Sequence, residues 1–171
     1  MPLTNNDTLR RLRYNLNLND TQLVEIFSLG DSRLEREMIQ AMLKRDDEEG
    51  FAECSDAMLS SFLDGLIIKR RGKRNEAPRA RVDQNCPLSN NDILKKLRIA
   101  LKLKEEDVLA ILHKTKVDIT RSELSALFRQ KDHKNFKPCG DQYLRNFIAG
   151  LLDVYNKPNV AQHAKDKSAA E

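Results

Sequence analysis

The chain has 171 residues, 33% charged, 40% hydrophobic and 5% aromatic, with no Trp. Such a composition supports a modest core and excludes a large aromatic-lined cavity, and no apolar run approaches the roughly 18 residues of a membrane span. Net charge is +4 but unevenly spread: residues 1–68 carry 7 Lys/Arg against 13 Asp/Glu, residues 69–86 carry 7 against 2, and residues 87–155 carry 13 against 9.

An acidic first half repels phosphate, whereas the basic linker and second half attract it, so uniform coating of both halves by nucleic acid is not expected. The opening Met1-Pro2-Leu3-Thr4 has neither a basic head nor an apolar stretch, and three cysteines at wide spacing form no disulfide or metal framework. The expectation is a reduced, cytoplasmic protein with no membrane association.

The first element is announced by Pro2-Leu3-Thr4-Asn5-Asn6-Asp7, which returns as Pro87-Leu88-Ser89-Asn90-Asn91-Asp92, an offset of 85 residues. A helix is predicted after Asn5-Asn6-Asp7, read as caps of orphan N–H groups, with Leu9, Leu12 and Leu16 on one face. A second begins near Asn19-Asp20 and carries Leu23, Val24, Ile26 and Phe27. Gly30 is expected to end it in the left-handed conformation. A third carries Ile39, Met42 and Leu43, and a fourth follows Ser55-Asp56 with Leu59, Phe62, Leu63 and Leu66. The linker Lys69–Cys86 lacks apolar periodicity. The same four helices then recur at the same offset: Leu94, Leu97 and Leu101; Val108, Leu109, Ile111 and Leu112; Leu124, Leu127 and Phe128; Leu144, Phe147, Ile148 and Leu151. Thr120-Arg121-Ser122-Glu123 has capping-box spacing at the third of these. No segment alternates with period two, so no strand is expected. Phe51, Phe62, Phe136 and Phe147, kept in both copies, are expected in the core.

Glu48-Glu49-Gly50-Phe51, Cys54, Asp56 and Leu59-Ser60-Ser61-Phe62-Leu63-Asp64-Gly65-Leu66 resemble a bacterial family of unknown function. So do Asn90-Asn91-Asp92-Ile93-Leu94-Lys95-Lys96-Leu97-Arg98, Asp132-His133-Lys134-Asn135-Phe136 and Cys139-Gly140-Asp141-Gln142. The resemblance covers nearly the whole chain except the tail. It implies a small cytoplasmic protein with a duplicated domain and brings no activity, cofactor or catalytic residue.

Cys54 and Cys139 each precede a helix start, where the macrodipole lowers a thiol pKa. No His recurs beside them, because His133 stands where the first copy has Glu48, and the plain reading is a small buried hydrophobe. Asp46-Asp47-Glu48-Glu49 is replaced by Lys131-Asp132-His133-Lys134, which excludes a shared cation cage. The retained Asp47 and Asp132 are expected to cap the turn before Phe51 and Phe136. His113, His133 and His163 have no partner at metal spacing. Arg13 and Arg98 follow core leucines and are expected to bridge to Asp56 and Asp141, with Arg10, Arg11, Lys95 and Lys96 solvated. A helix-turn-helix, with the third helix as reader, is disfavoured in the first copy by Glu35 and Glu37 and favoured in the second by Arg121, Ser122, Ser125 and Arg129.

The sequence therefore predicts an all-α fold of two tandem four-helix modules, 1–68 and 87–155, joined by a basic linker 69–86 and followed by a disordered tail 156–171. The residues define no activity and no catalytic, cofactor or metal site. The expected role is a non-enzymatic module that binds a macromolecular partner, a protein in the first instance. The alternative is a nucleic-acid-associated protein that uses the linker and second module, with Arg70, Arg71, Lys73, Arg74, Arg121 and Arg129 as candidate contacts.

Overall fold

The computed structural model describes residues 1–72 and 87–155. Among them it contains eight α-helices and no strand: α1 (Asn5–Asn15), α2 (Asp20–Leu29), α3 (Arg36–Leu43), α4 (Asp56–Arg71), α5 (Asn90–Ala100), α6 (Glu105–Lys114), α7 (Arg121–Leu127) and α8 (Asp141–Tyr155). Each copy thus contributes four helices in matching order. Even the left-handed residues outside glycine recur, Asn17 at φ 52° with Lys102 at 53°, and Asp31 at 63° with Lys116 at 62°. Lys73, Arg74 and the tail 156–171 lie outside the described residues.

The N-cap of α1 is Thr4, whose hydroxyl accepts from the Asp7 N–H at 3.1 Å, and Ser89 does the same for Asp92 at 3.2 Å. The paired asparagines expected as caps lie inside the first turn and tie down distant chain. The buried Asn6 amide donates to the carbonyls of Met42 at 2.8 Å and Ala52 at 2.9 Å, and its oxygen accepts from the Cys54 N–H at 3.0 Å. Asn91 repeats all three contacts with Leu127, Lys137 and Cys139 at 2.8, 3.0 and 2.8 Å. One side chain therefore satisfies three backbone groups of the passage from the third helix to the fourth, groups that would be costly to bury unpaired.

The capping box at Thr120 is present, with Thr120 N–H donating to Glu123 Oε2 at 2.8 Å and the Thr120 hydroxyl accepting from Glu123 N–H at 3.2 Å. Gly30 does close α2, but at φ −86°, and the left-handed residue is Asp31. Its glycine is required by approach instead, since a Cβ there would stand 1.8 Å from the Ser61 carbonyl oxygen of α4. The fourth helix also outruns its apolar pattern. Lys69, Arg70 and Arg71 continue α4 to its cap at Gly72 instead of opening the linker, because cations are favoured at the negative end of a helix.

Packing is reciprocal between the copies. α1 lies chiefly on α8 and α5 on α4, while within each copy the second helix packs on the fourth. A single buried cluster runs through both copies, from Leu9 and Leu12 to Phe147 and Leu151. Phe62 and Phe147 are fully buried, and Phe62 packs tilted against Phe27 at 5.4 Å between ring centres. Phe51 and Phe136 are only half-buried, because each sits on the exposed turn before the fourth helix. That turn is held in each copy from one matched position at which the residues differ: Glu48 accepts from the Arg45 N–H, and His133 Nδ1 accepts from the Asn135 N–H at 3.1 Å. Asp47 does not cap it and instead faces Arg45 at 3.6 Å, both exposed.

Candidate anion-binding groove

The last turn of α4 runs beside the last turn of α5, and between them opens a groove of about 420 Å³. Lys95 and Arg98 line it from α5, on one side because positions i and i+3 share a helical face, and Lys102 lines it from the left-handed turn just beyond that helix. Arg71 enters from α4, its guanidinium donating to the Ile99 carbonyl at 3.2 Å. Leu103 and Phe128 form part of the floor, and Arg98 lies over the Phe128 ring at 4.6 Å while its Nε donates to the Leu103 carbonyl at 3.2 Å. The expected bridge from Arg98 to Asp141 is therefore absent. So is that from Arg13 to Asp56, for Arg13 reaches Asp20 at 3.3 Å.

Comparison of the copies sharpens the meaning of the groove. The first copy has Arg10 and Arg13 where the second has Lys95 and Arg98. Arg10 pairs with Asp7 and Arg13 with Asp20. Burial pushes the Asp7 carboxyl up, yet hydrogen bonds from Arg10 and Thr4 outweigh it and leave it below the ordinary value. The Gln40 amide and then the Arg13 guanidinium hold Asp20 below its own. In the second copy both counterpart carboxylates turn elsewhere. Asp92 accepts from the Ser89 backbone and hydroxyl at 3.1 and 2.7 Å, and Glu105 faces Arg121 at 3.8 Å. Among the described residues, no carboxylate pairs with Arg71, Lys95, Arg98 or Lys102. Without a carboxylate partner among the described residues, these four cations in one concavity form a positive potential well, in which a phosphate or another anion would supply a pairing.

Of the contacts expected from sequence, only Arg71 belongs to this groove. Arg70 is held over the Tyr155 ring at 5.5 Å, and the Tyr155 hydroxyl donates to the Leu101 carbonyl at 3.4 Å. Arg121 is exposed on α7 against Glu105, and Arg129 donates to the Asn135 carbonyl at 3.0 Å. Lys73 and Arg74 lie outside the described residues. Sequence reading missed Lys95 by treating it as solvated, and Lys102 because it falls outside the helical pattern. The legible signal was the exchange of Asn17 for Lys102 and Leu43 for Phe128.

The two thiols are chemically quiet. Burial pushes Cys54 up to about 12, and the nearby Asp56 and Glu53 charges add to it; burial and then Asp141 push Cys139 up to about 11. Both side chains are buried. The folded chain thus retains protons that an unfolded thiol releases near the ordinary value of 9.0. Stability contributed by these thiols is full below that value and falls as pH climbs toward 11–12. Alkylation with iodoacetamide near pH 8, followed by peptide mass mapping, should leave both cysteines unmodified in the native state and label both in urea. Rapid native labelling of either would show an accessible thiolate. Among the described residues no cluster of His, Cys, Asp and Glu is placed to hold a metal ion, and no helix is long and apolar enough to cross a membrane.

A duplicated, wholly helical pair of modules with one uncompensated basic groove is the class that the described residues define. The chain belongs to the family described as "Protein of unknown function (DUF1456)", which matches residues 5–72 and 90–155, one match per copy. It is 46% identical over 149 residues to the Escherichia coli (strain K12) protein named "Uncharacterized protein YehS", across 87% of this chain and 94% of that protein. No solved structure matches.

Proposed function

We propose that the protein is a non-enzymatic interaction module whose macromolecular partner is nucleic acid, held by its phosphate backbone in the groove of Arg71, Lys95, Arg98 and Lys102. The observation that carries this reading is the difference between the copies: homologous cations are neutralised by Asp7 and Asp20 in the first and have no carboxylate partner among the described residues in the second. An arginine or lysine kept for folding gains from a partner, whereas one kept for an incoming phosphate gains from having none until the ligand arrives. The groove reads charge rather than bases, so binding is expected to be largely independent of sequence. A reader-helix mode has less support. α7 spans only Arg121–Leu127, and its exposed Arg121 faces Glu105.

The test is fluorescence anisotropy of a labelled DNA duplex at low salt. Replacing the exposed Arg71, Lys95 and Lys102 together by Gln should weaken binding at least about tenfold. Arg10→Gln, at the neutralised counterpart of Lys95, should change it less than about twofold. Equal losses in the two variants would remove the groove as the site. No binding by the intact chain would remove the nucleic-acid reading and favour a protein partner.

A further inference from the structure

The contacts that join the copies are of the kind that joins subunits. Asp56 Oδ1 accepts from its own copy's Asn5 amide at 2.7 Å, while Oδ2 accepts from the Leu88 N–H of the other copy at 3.0 Å. Asp141 mirrors this, with Asn90 at 2.7 Å and Leu3 N–H at 2.9 Å. The Leu3 and Asn90 hydrogen bonds hold the Asp141 carboxyl below its ordinary value. Such an exchange, residue i on j and j on i, is the signature of a two-fold interface. Around it α1 lies on α8 and α5 on α4, so that the first helix of each copy completes the other copy's core. Further bonds cross the same boundary. The buried Asn15 amide donates to the Ile148 carbonyl at 2.8 Å, and Lys96 Nζ donates to Ser60 Oγ at 3.0 Å and Asp64 Oδ1 at 2.7 Å.

We propose that residues 1–72 and 87–155 are the two partners of an internalised two-fold dimer, held by this interface and not by the peptide between them. Neither half is a self-sufficient domain, and each is a specific partner for the other in trans. The copies have diverged around the shared frame. Lys96 with Ser60 and Asp64 has no counterpart across the other pairing, where Arg11, Arg145 and Ala149 stand. The frame therefore favours pairing of unlike halves over like ones. This inference is independent of what the groove binds.

The experiment uses the full chain with a specific protease site substituted within residues 73–86, cut after purification in native buffer. The two halves should stay together through gel filtration at micromolar concentration and separate only in denaturant. The melting temperature of the cut protein should rise with concentration, while that of the uncut protein does not. Asn15→Ala, which removes a buried hydrogen bond found only across the boundary, should weaken association of the cut halves about tenfold. The uncut variant should stay folded, because the connecting peptide keeps the effective concentration high. Halves that elute separately and folded would overturn the proposal by showing independent domains. Halves that unfold or precipitate on cutting would overturn it equally, by showing that the peptide holds them together.

Discussion

Replacing Gly65 by alanine is expected to be among the most destabilising single changes in the chain, at about 3 kcal/mol or more in urea unfolding. A Cβ at Gly65 would lie 1.7 Å from the Ile26 carbonyl oxygen, and the Gly30 nitrogen stands only 3.0 Å away. Both atoms are backbone, so the only relief is to part α2 from α4, the pair that buries Leu23, Ile26, Phe27, Phe62 and Leu66. The gain of roughly 1 kcal/mol in helix propensity from Gly to Ala does not offset this. The matched change Gly150→Ala supplies the control. Its Cβ would meet the Ile111 side chain at 2.6 Å and the Ile111 carbonyl at 2.9 Å. The second copy has Thr115 in place of Gly30, so α6 and α8 approach less closely there, and a loss below about 2 kcal/mol is expected. Equal losses at the two glycines would contradict the closer approach in the first copy.

Phe62→Ala should cost about 3–5 kcal/mol by the same measurement. The ring is fully enclosed and tilts against Phe27 at 5.4 Å, so truncation loses both the transfer free energy and an aromatic contact and leaves a cavity. Phe51→Ala, on the half-buried turn, should cost clearly less. A loss under about 1 kcal/mol for Phe62→Ala would place that residue outside the core.

What the sequence made legible was whatever the two copies state twice. The constant offset identified the four-helix unit, the leucine spacing set the buried faces, and Thr120 with Glu123 marked a helix start that the hydrogen bonds reproduce. Less legible was anything decided by a distant partner. Asn6 and Asn91 have the composition of caps, and only the fold places Met42, Ala52 and Cys54, or Leu127, Lys137 and Cys139, within reach of them. Arg13 and Arg98 sit at matched positions yet choose different partners, an aspartate in one case and a carbonyl and an aromatic ring in the other. The α4 extension through Arg71 defeats a reading that ends helices where apolar periodicity stops. That extension brings Arg71 to the groove.

The central claim is that Lys95, Arg98 and Lys102 of the second copy, with Arg71 of the first, are kept without carboxylate partners for the phosphates of a nucleic acid. Its most direct test is the affinity of the intact chain for a DNA duplex, measured across a range of salt concentrations. Each phosphate neutralised contributes about −0.9 to the slope of log affinity against log salt, so the groove predicts a slope of about −3 to −4. Substituting Arg71, Lys95 and Lys102 by Gln should flatten it to about −1. A slope near zero, or one that those substitutions leave unchanged, would contradict the assignment of the groove.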